Sequence, residues 1–261
     1  MITFLKLGGS VITEKSMRRT ARPETIHRIA SEIARALGRD PSMQLLLGHG
    51  SGSFGHAVAA EHGTHLGADS RQDWHGFASV WSAARELNSL IIAALQAEGL
   101  PAIAFAPSAT AISEDGQLIT MSYEPIQRAL SSGLLPVVYG DVVFDRAIGA
   151  SIASTEAVFG LLAAHLEPDR LLLAGRTAGV YKAASTPSDP LPVITPSSRS
   201  ALQFSSPEGE DVTGGMEGKV DFCLSIAQAH PDMEILIFSA EQDGQLLQVL
   251  SGEAIGTRIQ A

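Results

Sequence analysis

The sequence predicts an α/β fold in which a mostly parallel sheet is covered by helices on both faces. Short apolar runs, each stopped by glycine or another turn residue, alternate along the 261 residues with longer segments of helical periodicity. Strands that alternate with helices form parallel sheets, and strands that are apolar throughout are buried on both faces. The length suits one large α/β domain or two closely packed lobes, with a soft boundary near residue 167.

The first elements follow from simple local patterns. Ile2–Leu7 is a short apolar run stopped by Gly8 and Gly9, which predicts a buried strand. Pro23 is a favourable first helical residue, and apolar residues recur every three or four positions from there to about Leu37, which predicts a helix. Met43–Leu47 is a second apolar run followed at once by glycines, and it predicts the second strand.

The middle of the chain continues the alternation. A helical pattern at Asp73–Ala97, with a break near its start, precedes a strand at Pro101–Phe105. Further on, we expect a short helix at Tyr123–Leu130, a buried strand at Leu134–Tyr139, a hairpin of Val142–Phe144 and Ile148–Ile152 around Asp145, and a helix that Ser154 caps and that continues to about His165.

The last third of the sequence contains fewer predicted helices and strands. Residues 183–200 are rich in Ser, Thr and Pro, and we expect a mobile excursion there. The remaining predictions are a buried strand at Arg170–Leu173, a helix at Gly215–Ala229, a strand at Glu234–Phe238, a short helix at Gln245–Leu250 and an edge strand at Gly256–Ile259.

Composition excludes several classes of function. The net charge of −10 argues against a general nucleic-acid or anionic-membrane surface, because either partner needs a broad basic footprint. Cys223 is the single cysteine, so neither an intramolecular disulfide nor a cysteine-based zinc site can form. The N-terminal segment lacks the apolar stretch of a signal peptide, and no apolar run approaches the roughly 18–20 residues that span a bilayer. We therefore expect a soluble, cytoplasmic protein.

Lysine usage points to a phosphate ligand. The chain has only four lysines against fourteen arginines, and three of the four, Lys6, Lys15 and Lys219, lie in or just after glycine-rich loops. Glycine lets the backbone approach a ligand closely, and lysine supplies a compact positive charge that suits phosphate oxygens. A biased codon usage together with loops that happen to need glycine is the alternative.

The first loop is Lys6-Leu7-Gly8-Gly9-Ser10, at the end of the first predicted strand. In open α/β sheets ligands bind outside the carboxyl ends of the strands. The loop therefore places an ammonium group and free backbone N–H groups at the binding edge. It lacks the spacing of a Walker A loop.

The second loop, residues 48–56, leaves the second strand and is expected to open a helix, which makes an anion site of its N–H groups and dipole. Its glycines also match the dinucleotide-binding pattern Gly-x-Gly-x-x-Gly, with Asp69 about twenty residues later, but that motif normally follows the first strand and leaves the lysine loops unexplained. His56 can donate a hydrogen bond to a bound phosphate oxygen; a backbone-satisfied histidine is the alternative. The neighbouring histidines show no spacing typical of a zinc site, and we expect no metal-binding cluster.

The third loop, Asp211–Lys219, delivers Lys219 into the first turn of a helix. A cation there is unfavourable unless an anion lies nearby, so Lys219 is a candidate phosphate ligand. Three acids, Asp141, Asp145 and Glu156, follow the strongest buried strand. They could orient the lysines, hold Mg²⁺ through water or contact a ribose, or they could serve only turns and a helix N-terminus.

Taken together, the motifs resemble the amino acid kinase superfamily and, within it, the isopentenyl phosphate kinases. The resemblance rests on ordered segments that cover the whole length: Leu5–Thr13, Gly50–His56, Pro136–Val143, Asp211–Lys219 and Gly256–Ile259. It implies an open three-layer αβα sandwich, an N-terminal lobe of about residues 1–167 for the phosphate acceptor, and a C-terminal lobe of about 168–261 for ATP. It also implies ATP and Mg²⁺ as cofactors; a homodimer is compatible with it, although no segment identifies an interface.

The resemblance also implies residue roles. Lys6, Lys15, His56 and Lys219 match the catalytic positions, with the histidine holding the acceptor phosphate. The positions that match ATP-binding residues are Lys6, Gly8, Gly9, Ser10, Gly52, Glu156, Arg176, Gly179, Gly215 and Lys219. The positions assigned to the acceptor are Gly50, Ser51, Gly55, His56, Gly140 and Asp141, together with Phe77 and Trp81 as an expected apolar wall.

The chain departs from the family pattern at Arg176 and Ala178, where relatives usually carry two acids near the nucleotide. Arg176 could instead contact a nucleotide phosphate. Phe77, Val80, Trp81 and Ala84 fit either the wall of a pocket for a short hydrocarbon tail or a core stripe. The alternatives to an isopentenyl phosphate kinase are a related kinase acting on a phosphonate such as fosfomycin, and a non-catalytic nucleotide- or oxyanion-binding protein of the same fold.

Overall fold

The computed structural model describes residues 1–182, 189–204 and 215–261. Two predicted segments therefore lie partly outside the described residues: residues 183–188 of the expected excursion and residues 211–214 of the third loop. The helices are α1 (Gly9–Ile12), α2 (Pro23–Arg39), α3 (Gly52–His62), α4 (Arg71–Ala97), α5 (Pro107–Thr110), α6 (Glu124–Ser131), α7 (Thr155–Leu166), α8 (Pro196–Arg199), α9 (Gly215–Ala229) and α10 (Gln245–Leu250).

The strands form two sheets. They are β1 (Ile2–Leu7), β2 (Gln44–His49), β3 (Ala102–Ala104), β4 (Ala111–Glu114), β5 (Gln117–Met121), β6 (Leu135–Tyr139), β7 (Asp141–Asp145), β8 (Gly149–Ala153), β9 (Arg170–Gly175), β10 (Val193–Ile194), β11 (Glu234–Ser239) and β12 (Thr257–Ile259). The large sheet has the order β10-β12-β11-β9-β1-β2-β6-β3, and the small sheet has the order β5-β4-β7-β8.

The large sheet is parallel except for the β11–β12 pair, as the sequence predicts. Its two faces carry separate cores, because successive side chains of a strand point to opposite faces. Leu5 and Leu47 join one core, and Phe4 and Leu46 join the other. Helices therefore cover both faces, and the expected three-layer sandwich is confirmed.

Some local predictions need correction. The expected break near the start of the long helix is wrong, because α4 is one continuous helix with a capping box at Ser70 and Asp73. The last strand, β12, is not at the edge of the sheet, since β10 pairs along its outer side. Within the expected excursion, the described residues form β10 and α8 rather than only loop. The small sheet contains the predicted hairpin, β7 and β8, and adds β4 and β5, which the sequence did not suggest.

None of the helices among the described residues is long and apolar enough to cross a membrane.

Candidate active site

The glycine loops meet at the edge where the parallel strands end, called here the carboxyl edge. The register of the sheet sets Leu7 of β1 beside His49 of β2 and Ala174 of β9. The loops that follow these three strands therefore emerge side by side. Tyr139, the last residue of β6, pairs with His49 and brings Gly140 to the same edge.

The first two glycine loops are in direct backbone contact. A Cβ atom placed on Gly9 would lie 2.6 Å from both the Cα and N atoms of Gly52, which no side chain tolerates. Gly52 has φ +49°, and a Cβ atom there would lie 2.2 Å from Thr13 Oγ1. Glycine is thus required at both positions so that the two loops can form one surface. Ser10 follows Gly9 in α1.

The N–H groups of these loops are partly used within the protein. Gly8 donates to Ala174 O at 2.8 Å, and Gly50 donates to Leu7 O at 3.0 Å. The expectation that these glycines leave their N–H groups free is therefore wrong for Gly8 and Gly50. These two hydrogen bonds join each loop to the end of a neighbouring strand, Gly8 to β9 and Gly50 to β1.

Two of the predicted lysines converge on one carboxylate. Lys6 is buried at the end of β1, and its ammonium group forms an ion pair and a hydrogen bond with Glu156, in the first turn of α7. Lys219, on α9, lies with its Nζ atom 3.8 Å from the point where a Cβ atom on Gly175 would be. Burial acts to raise the pKa of Glu156, but Lys6 and, less strongly, Lys219 hold that pKa below its usual value.

Glu156 is therefore charged, is paired with Lys6 and is within electrostatic reach of Lys219, although the two lysines are far apart in the sequence. The other two acids that the sequence suggested, Asp141 and Asp145, bind backbone N–H groups instead. Asp141 accepts hydrogen bonds from the N–H groups of Ser108 at 3.1 Å and Val142 at 2.9 Å. Burial raises its pKa to about 6, although both hydrogen bonds act to lower it.

Asp145 accepts hydrogen bonds from the N–H groups of Asp115, Gly116, Ala147 and Ile148. Its carboxylate thus joins two turns of the small sheet. Of the three acids that the sequence suggested as partners for the lysines, Glu156 has that role, whereas Asp141 and Asp145 bind backbone.

The second loop opens α3, as predicted. Ser51 is the residue before the helix, Gly55 is buried in its first turn, and His56 follows at a partly buried position. Gly140 lies opposite, since a Cβ atom on it would be 3.7 Å from Ser51 N. The residues assigned to the acceptor phosphate therefore surround the N-terminus of α3, where backbone N–H groups and the helix dipole favour an anion.

The residues assigned to the nucleotide lie after β9 and at the start of α9. Arg176 follows β9, is about half exposed and forms an ion pair with Glu241, with Nε 3.4 Å from Oε1. Gly179 is closely packed, since a Cβ atom on it would lie 2.5 Å from Thr257 Oγ1 and 2.8 Å from Pro190 Cβ. Packing within the protein therefore accounts for a glycine at position 179. Gly215 begins α9 with φ +60°.

Lys15 lies apart from this cluster. It is exposed on the turn between α1 and α2, and it has no ion pair among the residues that the structure describes. Its role as a phosphate ligand stays a prediction.

The apolar wall proposed on α4 divides into two parts. Val80 and Ala84 are buried and belong to the core side of the helix. Phe77 packs against Phe144 of β7, with ring centroids 4.9 Å apart, and against Trp74 at 5.7 Å. Trp81 is 36% exposed and lies under the guanidinium group of Arg85.

Sequence reasoning missed Trp74 and Phe144, although both are large apolar residues that stay exposed, at 38% and 47%. Their periodicity offered no clue, because Phe144 comes from another sheet and meets the helix only in the folded chain. His49 is another residue that the predicted site did not include. It is fully buried, donates a hydrogen bond from Nε2 to Asn88 Oδ1 at 3.1 Å, and stacks on Tyr139; burial lowers its pKa to about 4.

The chain is similar to known proteins over its whole length. The family model described as the amino acid kinase family matches residues 1–239. The chain belongs to the amino acid kinase family. Within this family, it is 36% identical to the isopentenyl phosphate kinase of Methanothermobacter thermautotrophicus over 98% of both chains. It is 30% identical to the isopentenyl phosphate kinase of Methanocaldococcus jannaschii over 99% of this chain and 98% of that one.

The chain is also similar in structure to solved kinases. A crystal structure of an isopentenyl phosphate kinase covers 99% of this chain and 100% of its own, with 34% identity and a TM-score of 0.83. The product complex of the Thermoplasma acidophilum isopentenyl phosphate kinase covers both chains fully, with 26% identity and a TM-score of 0.78. An aspartate kinase from Synechocystis, at 16% identity and a TM-score of 0.66, shares the fold.

Proposed function

We propose that this protein transfers the γ-phosphoryl group of ATP to isopentenyl phosphate and so forms isopentenyl diphosphate. The observation that carries the proposal is the convergence of Lys6 and Lys219 on Glu156, beside two glycine loops in contact. The relatives with this name match the whole chain, which supports the same acceptor. We place the reaction in the cytoplasm.

The reaction suits a site of this composition. A terminal oxygen of the acceptor phosphate attacks the γ-phosphorus of ATP, the bond from that phosphorus to the bridging oxygen breaks, and ADP leaves. An acceptor phosphate is already a nucleophile near neutral pH, so the protein needs no general base. Its task is to align two anions and to offset their repulsion.

We assign the two lobes to the two substrates. Residues up to about 167 would bind isopentenyl phosphate, with its phosphate at the N-terminus of α3 and on His56. Residues from about 168 would bind ATP, with its phosphates on Lys219 and Arg176. Lys6 lies between them, and its ion pair with the Glu156 carboxylate holds its ammonium group in place until a phosphate competes for it.

Mg²⁺ is part of the proposal through the nucleotide. The described residues contain no group of three or more His, Cys, Asp or Glu that could hold a metal ion. Mg²⁺ usually binds in such sites through substrate phosphates, water and one or two carboxylates. Glu156 is the carboxylate best placed to contribute, and bound Mg²⁺ would neutralise charge on the phosphates.

The hydrocarbon tail of the acceptor needs an apolar surface. We propose that Phe77, with Trp74 and Phe144, provides it, and that Trp81 borders it. The three rings are in contact and partly exposed. Trp74 and Phe77 lie on α4, which packs against α3, the helix that carries His56.

A coupled assay for ADP release tests the proposal. Purified protein with ATP and Mg²⁺ should turn over isopentenyl phosphate far faster than fosfomycin, and the product should be isopentenyl diphosphate by mass. Preference for fosfomycin would establish the phosphonate kinase instead. ATP binding without turnover of any acceptor in a panel of phosphates and phosphonates would establish a binding protein.

A further inference from the structure

An ion-pair bridge crosses the carboxyl edge of the sheet next to the lysine cluster. It consists of Arg22, Glu241 and Arg176, and it is called here the Glu241 bridge. Glu241 follows β11, Arg176 follows β9, and Arg22 lies just before α2. The three side chains thus join the residue before α2 to the segment where the chain departs from the usual family pattern.

The Arg22 end of the bridge is rigid. Arg22 donates two parallel hydrogen bonds to the Glu241 carboxylate, from Nη1 at 2.7 Å and from Nη2 at 3.0 Å. Nη1 also donates to Val11 O at 2.9 Å, and the Arg22 N–H donates to Ile12 O at 2.8 Å. Val11 and Ile12 belong to α1, which begins at Gly9. Glu241 is therefore fixed to the helix that follows the Lys6 loop.

The Arg176 end is open. Its side chain is 49% exposed, against 27% for Glu241 and 20% for Arg22. Among the residues that the structure describes, Glu241 is the one carboxylate paired with Arg176, and it meets Nε at 3.4 Å. Nε is one of the five donors of the planar guanidinium group, so Nη1 and Nη2 retain donors for another anion. Arg176 is also adjacent to Gly175, which lies beside Lys219 Nζ.

The backbone holds the two pairing residues close together. Ala240 donates to Gly175 O at 2.9 Å, and the Ser239 hydroxyl donates to Arg176 O at 3.3 Å while it accepts from the Glu241 N–H at 3.1 Å. The carboxylate and the guanidinium group are thus presented to each other by a cross-linked pair of strand ends. Arg22 and Arg176 both help to hold the pKa of Glu241 below its usual value, Arg22 chiefly through its hydrogen bonds.

The Glu241 bridge does not serve to neutralise an excess of positive or negative charge at this place. Glu14 pairs with Arg22 at 3.4 Å, so two arginines and two glutamates balance. Stability does not explain the Arg176 pair either, because an exposed ion pair contributes only about 0–1 kcal/mol. What the bridge supplies is a fixed direction for the Arg176 guanidinium group, and such orientation matters when planar donors bind phosphate.

We propose that Glu241 is a positioning residue for the nucleotide. It holds Arg176 so that the outer guanidinium donors meet a phosphate of ATP, and through Arg22 it keeps Arg176 in register with the Lys6 loop. This inference rests on the proposed function for the identity of the reaction, but its direct content, the affinity for nucleotide, is measured without an acceptor.

The test is Glu241→Gln, which removes the charge and keeps the size. The KM for ATP should rise about tenfold, as expected when a charge-assisted contact loses its geometry, with kcat and the KM for isopentenyl phosphate changed less than about threefold. The Kd of ADP, measured by calorimetry without acceptor, should rise in parallel. Glu241→Asp should recover part of the affinity. A Glu241 that only neutralises Arg176 would give the opposite result, a lower KM and a lower Kd in Glu241→Gln.

A double-mutant cycle separates positioning from a general structural effect. Arg176→Ala should raise the KM for ATP by at least as much as Glu241→Gln, and adding Glu241→Gln to Arg176→Ala should raise it no further. Additive effects would overturn the proposal. The matched control is Glu234→Gln, because Glu234 pairs with Arg170 at the opposite ends of the same strands, β9 and β11. It should leave nucleotide affinity unchanged.

The outcomes remain distinct from those of the proposed function. If the wild-type protein binds ADP but phosphorylates no isopentenyl phosphate, the function fails while the calorimetric test of Glu241 stands. If turnover is as proposed and Glu241→Gln binds ADP as the wild type does, the positioning role fails alone.

Discussion

The two edges of the large sheet use charge in opposite ways. At the amino edge, where the parallel strands begin, Arg170 is buried and donates to Glu234 at 2.6 Å and to the carbonyl oxygens of Val249 and Leu250. Asp169 accepts from the Ile2 N–H at 2.6 Å. At the carboxyl edge, Lys6, Lys219 and Arg176 lie beside glycines, and the lack of side chains at Gly9 and Gly52 lets two loops touch.

The proposed site does not coincide with the cavity at the amino edge. The amino edge holds a cavity of about 570 Å³ between the starts of the strands and the end of α10, lined by residues that include Arg39, Asp40, Arg170 and Glu234. Each nitrogen of the buried Arg170 guanidinium group donates a hydrogen bond within the protein, so this residue contributes to stability. The carboxyl edge contributes cations that a ligand can reach, which is what a reaction between two anions requires.

The largest effect should come from removing a carboxyl-edge cation. Lys219→Ala should lower kcat about a thousandfold, because a preorganised charge at a phosphoryl-transfer site stabilises the transition state more than the bound substrate. Steady-state kinetics with ATP and isopentenyl phosphate measures it, and circular dichroism checks that the variant is folded. Near-normal turnover of Lys219→Ala would remove this residue from the mechanism.

A smaller effect should follow from separating the two glycine loops. Gly9→Ala places a methyl group 2.6 Å from Gly52 backbone atoms, so the loops must move apart, and kcat should fall about a hundredfold through misalignment. Gly38→Ala is the matched control, because nothing lies within 4 Å of its added methyl group in helix α2. It should keep full activity, and equal kcat values for the two variants would contradict the contact role.

His56→Ala should act on the acceptor alone. Loss of one hydrogen bond to a charged phosphate should lower kcat/KM for isopentenyl phosphate by about ten- to a hundredfold and leave the Kd of ADP unchanged. Kinetics and calorimetry measure the two quantities on the same preparation. Parallel losses of acceptor use and ADP affinity would argue against an acceptor role for His56.

The amino edge should respond in stability and not in kinetics. Glu234→Gln leaves the buried Arg170 without its charged partner and should lower the free energy of unfolding by about 2 kcal/mol, less than for a fully buried pair because Glu234 is partly exposed. Urea unfolding measures this. A change in kcat or in either KM would break the distinction between the two edges.

The smallest net effect should be that of pH on stability, because two buried groups near the site oppose each other. The pKa of Asp141 is raised from 3.8 to about 6, so its stabilising contribution is complete below pH 3.8 and is lost as the pH rises to 6. The pKa of His49 is lowered from 6.5 to about 4, so its contribution is complete above pH 6.5 and is lost as the pH falls to 4. Each shift corresponds to roughly 3 kcal/mol.

Replacing one group should therefore reveal the other. Asp141→Asn should make the free energy of unfolding rise with pH between about 4 and 6.5 relative to the wild type, and His49→Gln should make it fall over the same interval. Urea unfolding at several pH values measures both slopes. Identical slopes in the wild type and both variants would show that neither group titrates as its burial implies.

Prediction from sequence succeeded where the signal was local. Strands β1, β2, β6, β9 and β11 were each a short apolar run followed by turn residues, and α2, α7, α9 and α10 each had a clear periodicity or cap. It failed for β4 and β5, which are short and partly polar, and for β10, whose pairing with β12 depends on a distant segment. The free N–H groups expected at Gly8 and Gly50 were also wrong, since their acceptors lie on neighbouring strands.

By itself the sequence determined which chemical groups could serve phosphate: lysines placed after strands, glycines around them, and a histidine at the start of a helix. Only the tertiary structure decided which of these groups meet. Lys6 pairs with a carboxylate 150 residues away, and Glu241 lies between arginines from two other loops. The reason is topological: the order β11-β9-β1-β2 sets which strand ends are neighbours, and no local pattern records that order.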